Sequence, residues 1–143
     1  MPGKKPRNVV VTGGGTGIGG AAAALFAAAG DAVLITGRRE DVLAETAAKL
    51  DVRYAVFEAA DPASVRTALD HLPATVDVLV NNAGGNTDRR RPAVDAGELD
   101  GTAAAWRANF DANVLTAVLV TEALTPRLTD GARIVTAGSI GAK

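Results

Sequence analysis

The sequence predicts an α/β fold in which helices wind over both faces of a parallel sheet. Two observations carry this expectation. Short apolar, β-branched runs alternate strictly with helix-length segments along all 143 residues. The first of those runs also breaks at three consecutive glycines ahead of an alanine-rich segment. Strands that are apolar without alternation are buried on both faces, and strands linked by helical crossovers pair in parallel. The length is that of one domain, and 48% apolar residues suffice for a single core.

The first strand is predicted over Asn8 to Thr12. Gly13, Gly14 and Gly15 turn the chain, and a helix of small residues follows from Ala21 to Ala29, ended by Gly30. Ala32 to Thr36 reads as the second strand, followed by Gly37, Arg38 and Arg39. The next helix, Glu40 to Leu50, places Val42, Leu43, Ala47 and Leu50 on one stripe. A third strand spans Arg53 to Phe57. Asp61 and Pro62 then open a helix as N-cap and first residue, and it ends near His71. Val76 to Val80 is the fourth strand, leading into Asn81-Asn82-Ala83-Gly84. A polar loop, Gly85 to Gly101, precedes a long helix from Thr102 to Arg127, and Ala132 to Ala137 is the fifth strand.

A strand, a glycine turn and a helix start in succession suit a nucleotide diphosphate. The glycines let the anion approach the backbone, and the free N–H groups of the helix start point at it. Two registers compete. Gly15, Gly17 and Gly20 spell the widespread dinucleotide fingerprint, but that pattern should begin directly after the strand. Thr12-Gly13-x-x-x-Gly17-Ile18-Gly19 begins where the strand ends and is the register adopted.

Charge at the end of the second strand selects the dinucleotide. An acidic group there binds the ribose 2′-hydroxyl of NAD, whereas a 2′-phosphate needs a cation. Gly37 occupies the position and Arg38 follows, and a guanidinium can clamp a phosphate bidentately. NADP(H) is therefore favoured over NAD(H). Arg39 reads as a solvated partner of Glu40 and Asp41.

Four separated signatures occur in order: Thr12 to Gly19, Asn81 to Gly84, Asn113 in the long helix, and Ser139 after the fifth strand. Together they resemble the short-chain dehydrogenase/reductase family, closest in look to NADP-dependent 3-oxoacyl and ketone reductases. The resemblance implies a Rossmann-like doubly wound sheet with five of seven strands present, over a dinucleotide-binding domain spanning 1–143. It implies that Gly13, Gly15, Thr16, Gly17, Ile18 and Gly19 cradle the cofactor. Asn82, Ala83 and Gly84 would wall its ribose, with Asn81 partly structural. Asn113 would hold a water of the proton relay, and Ser139 would hydrogen-bond the substrate carbonyl. Glu58 stands where similar proteins commonly carry an Asp near the adenine.

The resemblance also exposes an absence. The family's Tyr-x-x-x-Lys should follow Ser139, and the sequence given stops at Lys143. The one tyrosine, Tyr54, lies in the third strand. The expectation is a cofactor-binding half, inactive and prone to association alone. The full-length protein would be a carbonyl–alcohol oxidoreductase acting on a small molecule as a homodimer or homotetramer. The alternatives are a dinucleotide-binding regulatory protein without chemistry and an inert fragment.

The remaining features exclude more than they assign. A net charge of -1 leaves no footprint for nucleic acid or an anionic membrane, and the absence of cysteine rules out disulfides and thiol chemistry. No apolar h-region follows Lys4, Lys5 and Arg7, and no apolar run approaches the length of a membrane span, so a soluble cytoplasmic protein is expected. No metal site is read. His71 is expected to be an exposed helix-end residue, and Arg89 to Arg91 a solvated basic run with some scope for an acidic substrate or partner.

Overall fold

The run Asn8–Thr12 forms strand β1, whose side chains divide between the two faces of the sheet because successive residues of a strand point opposite ways. The structure, a computed structural model, describes residues 3–85, 87 and 98–138. Val9 and Val11 enter one core together with Val33 and Ile35 of β2 (Ala32–Gly37) and Val78 and Val80 of β4 (Val76–Asn81). Val10 enters the other with Leu34 and Leu79. Helices α1 (Gly17–Ala28) and α2 (Glu40–Leu50) close the first core through Ala23, Leu43 and Ala47. Helices α3 (Pro62–Ala68) and α5 (Thr116–Leu124) close the second through Val65, Ala68, Val120 and Leu124.

All pairings are parallel, in the order β3 (Arg53–Val56), β2, β1, β4, β5 (Leu128–Thr136). The winding reverses between β1 and β4. At such a reversal the crossovers on either side diverge and leave a crevice at the carboxyl ends of the strands.

Several boundaries differ from expectation for local reasons. Helix α1 starts at Gly17 rather than Ala21, because Gly19 has to lie against the preceding turn and only a glycine helix start permits that approach. It ends as expected, with Gly30 at φ +85° and its N–H on Ala27 O. Asp61 caps α3 by accepting from Ala63 N and Ser64 N, and the 3₁₀ turn Leu69–His71 carries the segment to its expected end.

The long helix begins at Leu99 as α4 (Leu99–Phe110) and passes through a π-turn, Asp111–Leu115, into α5. A 3₁₀ turn, Thr125–Arg127, contains Pro126, which cannot donate to a helical ladder, and closes it. Strand β5 starts at Leu128 instead of Ala132. Leu128 pairs with Val76 and Arg133 with Val78, so Thr129 to Ala132 bulge out opposite Asp77. Gly131 turns the bulge at φ +76°, and Thr129 Oγ1 donates to Asp77 Oδ1 at 2.7 Å.

Two charged clamps hold the amino-terminal ends of the strands. Arg7 donates from Nε and Nη2 to Asp31 (3.1 and 2.6 Å), and its backbone N–H adds a third bond. The bond from the guanidinium holds the Asp31 carboxyl below the usual carboxylate range against the opposing effect of burial. With the folded value depressed, this stabilisation is complete at neutral pH and is lost as pH falls through the folded pKa.

The second clamp is Arg127, whose Nη1 donates to Leu69 O (2.8 Å), Pro73 O (3.1 Å) and Leu72 O (3.2 Å). It satisfies carbonyls around the 3₁₀ turn that closes α3. Arg127→Ala is expected to destabilise the fold by about 1.5–3 kcal/mol, the range for hydrogen bonds to a charged group. The urea midpoint should fall at an unchanged slope. A midpoint equal to wild type would show the clamp to be redundant.

Candidate functional site

At the carboxyl ends of β1, β2 and β4 the surface opens into a cleft of about 990 Å³. The cleft runs from Arg38 and Glu58 past the glycine turn to Asn82, Gly84 and the π-turn.

The glycine turn is built by close approach. Gly13 sits at φ +63°, and a Cβ there would come within 3.0 Å of Ala83 Cα. A Cβ on Gly14 would lie 2.6 Å from Ile35 Cβ, and one on Gly19 would overlap Gly13 O and Asn82 Nδ2. Gly17 differs. It has φ +57° but nothing within 4 Å of where a Cβ would be, so the space beside it is open. The strand ends at Thr12 and the positive-φ glycines of the turn are Gly13 and Gly17, which matches the register Gly13-x-x-x-Gly17-x-Gly19. Gly15 holds the turn from below, its carbonyl accepting from Thr46 Oγ1 at 2.7 Å. Thr16 precedes α1 in an extended conformation and makes no side-chain cap, so its hydroxyl does not occupy the first N–H groups of α1. Ile18 is exposed on the same helix start.

Thr12 is the hinge pin that the sequence reading did not single out as a site residue. It is buried, and its Oγ1 accepts from both Asn82 N and Ala83 N at 3.0 Å while facing Val80 O at 3.4 Å. One hydroxyl thus ties the end of β1 to the segment leaving β4. Asn82 returns the contact with Nδ2 to Gly13 O at 3.2 Å. Asn81 is buried at the end of β4 and donates to Thr121 Oγ1 at 2.9 Å, while its Oδ1 finds no partner among the described residues.

Asn113 lies on the π-turn and grips the loop leaving β4. Its Oδ1 accepts from Gly85 N, and its Nδ2 donates to Gly85 O and Asn109 O, at 2.9, 2.9 and 3.0 Å. Both amide hydrogens and one lone pair are committed to backbone. Gly84, at φ +148°, permits the grip, since a Cβ there would stand 2.5 Å from Asn113 Oδ1. In the π-turn the Thr116 N–H bonds to Asp111 O rather than to Ala112 O, and Thr116 Oγ1 donates to Ala112 O at 3.0 Å. No amino-acid pattern singles out such a shift within a long helical run.

Arg38 and Glu58 meet across the far end of the cleft, with Nη1 and Oε2 3.6 Å apart. Both side chains are substantially exposed, at 72% and 43%. His71 is exposed at the end of its 3₁₀ turn, as expected. Tyr54 sits on the edge strand β3, at the opposite side of the sheet from β5. Ser139, Lys143 and Arg89 to Arg91 lie outside the described residues. Among the described residues no helix is long and apolar enough to cross a membrane, and no group of three metal-ligating side chains comes together.

Comparison with known proteins places this geometry. A family model for short chain dehydrogenases matches residues 7–143. Sulfoacetaldehyde reductase 2 of Chromohalobacter salexigens is 39% identical over 142 residues, covering 92% of this chain and 54% of that protein. A short-chain type dehydrogenase/reductase from Mycobacterium ulcerans superposes with TM-score 0.80 at 30% identity, over 95% of this chain and 52% of its own. A short chain dehydrogenase from Burkholderia cenocepacia, solved in complex with NADP, gives TM-score 0.76 at 33% identity, over 94% and 56%. The chain spans about half the length of the relatives it matches. With a doubly wound sheet, the glycine turn at its reversal and the Asn81-Asn82-Ala83-Gly84 segment beside it, the chain belongs to the short chain dehydrogenase family.

Proposed function

We propose that the protein is an NADP(H)-dependent oxidoreductase that interconverts a carbonyl and a secondary alcohol, in the manner of a ketoreductase. The observation that carries the cofactor is Arg38, a cation lining the cleft directly after Gly37, the β2-end position where NAD-binding folds place an acid. The open face of Gly17 and the uncapped start of α1 fit a diphosphate. In this reading Gly13, Gly15, Thr16, Gly17, Ile18 and Gly19 hold the diphosphate and Arg38 the 2′-phosphate. Glu58 lies by the adenine, and Asn82, Ala83 and Gly84 wall the ribose. The NADP bound to the Burkholderia cenocepacia relative supports the choice.

The nicotinamide, when bound, supplies or accepts hydride. Of the chain's own residues, Ser139 donates a hydrogen bond to the substrate oxygen, and Asn113 fixes the Gly84–Gly85 segment. Asn113 Oδ1 keeps one lone pair for a relay water. The proton donor of the complete enzyme is a Tyr assisted by a Lys in the family's Tyr-x-x-x-Lys, and the 143 residues alone are expected to be inactive.

Arg38→Ala is expected to weaken NADPH binding by about 1.5–3 kcal/mol, the range for hydrogen bonds to a charged group, with NADH nearly unaffected. Calorimetric titration with both cofactors tests it. Equal losses would remove the basis for NADP.

We further infer that the complete protein is a homo-oligomer. Trp106, Phe110, Val114 and Val118 stand exposed on successive turns of α4, the π-turn and α5. An apolar row of this kind marks an interaction surface. Light scattering of the 143-residue chain is expected to show self-association, reduced by Trp106→Glu combined with Phe110→Glu. A monodisperse wild-type monomer would contradict it.

A further inference from the structure

Glu58 is the fixed member of the pair it forms with Arg38. Its Oε1 accepts from Ala60 N at 3.2 Å, its backbone N–H donates to Ser64 Oγ at 2.9 Å, and its carbonyl accepts from Asp61 N at 3.1 Å. The loop that caps α3 therefore holds the carboxylate, leaving Oε2 to face Arg38 Nη1 at 3.6 Å. Arg38 reaches across the cleft from the end of β2 with a side chain 72% exposed.

We propose that Glu58 is a specificity-determining residue: it is the counter-ion of Arg38 in the cofactor-free protein, and its charge holds down the preference for a 2′-phosphorylated dinucleotide over the unphosphorylated one. The proposal rests on Arg38 being the 2′-phosphate ligand. A phosphate arriving at that guanidinium has to displace or share it with the carboxylate, and then lies close to a like charge that its loop keeps in place. Both effects act against the phosphate. The opposing benefit, orientation of Arg38 by the pair, is small because an ion pair this exposed is weak. A dinucleotide with a 2′-hydroxyl meets neither effect. Glutamine at 58 keeps an oxygen for Ala60 N–H and removes the charge, with a neutral amide nitrogen in place of Oε2.

The test is titration of the 143-residue wild type, Glu58→Gln and Arg38→Ala with NADPH and with NADH, at low and at high salt. Glu58→Gln is expected to raise the NADPH-to-NADH affinity ratio about three- to tenfold, the scale of one unit charge acting through largely solvated space. The gain should shrink at high salt. General damage to the site would weaken both cofactors alike and leave the ratio unmoved, so an unchanged or lowered ratio overturns the proposal. Selective loss of NADPH in Arg38→Ala with a flat ratio in Glu58→Gln overturns the role of Glu58 alone. Loss of both cofactors equally in Arg38→Ala, or no binding of either by wild type, overturns the Arg38 assignment and this proposal with it.

Discussion

Gly19→Ala is expected to destabilise the fold and abolish measurable NADPH binding, whereas Gly20→Ala, one residue on, is expected to be tolerated. At position 19 a Cβ would overlap Gly13 O and Asn82 Nδ2, and the first of these is backbone within the turn itself. Relief requires moving α1 off the turn or the turn off β4. Overpacking a tight site costs about 1–3 kcal/mol or more, which outweighs the gain of about 1 kcal/mol that alanine brings to a helix over glycine. At position 20 the nearest atom to a Cβ is Gly14 O at 3.5 Å, an ordinary contact, so only the helix-propensity gain remains. The proposed diphosphate cradle would move with the turn, and each 1.4 kcal/mol of lost contact is about tenfold in affinity. Urea unfolding and NADPH titration of both variants decide between the registers. If Gly20→Ala were the damaging change and Gly19→Ala the silent one, the register Gly15-x-Gly17-x-x-Gly20 would be correct.

Thr12→Val is expected to cost about 2–5 kcal/mol. Valine matches threonine in shape, so no cavity forms, but the hydroxyl that accepts from Asn82 N and Ala83 N disappears. A donor left unpaired in a buried setting costs about 1–3 kcal/mol; Thr12 is 2% exposed and the two bonds are part-buried. Thr12→Ser is the matched control. It keeps the hydroxyl and loses one methyl, about 0.8 kcal/mol. The segment Asn82 to Gly84 loses its tether to β1 only in the valine variant, so NADPH affinity should fall there and hold in the serine variant. Equal stability of the two variants would show that the hydroxyl bonds contribute nothing.

The fold was legible because its signals are local. Val9, Val10 and Val11 form an unbroken β-branched run, and such a run has to be covered on both faces. Asp61-Pro62 states a helix start in two residues, and Gly30 states a helix end in one. The glycine turn was legible for the same reason, since positive φ at Gly13 and Gly17 leaves its mark in residue type. The left-handed Asp51 that ends α2 left no such mark, because an aspartate reaches φ +54° at modest cost and is common elsewhere.

What the sequence by itself determined is the order of elements, the site of the turn and the charge that stands beside it, each written in residues adjacent along the chain. What only the tertiary structure decided is which distant groups meet: Thr12 with the amides of Asn82 and Ala83, Asn113 with Gly85, Arg127 with the carbonyls after α3, and Glu58 with Arg38. Those pairings depend on how far each helix slides along the sheet and where its ladder shifts to a π-turn. Such shifts are settled by packing and by competition among hydrogen bonds between separated segments, and a hydroxyl, an amide or a guanidinium carries the same letter whether it finds water or a partner far along the chain.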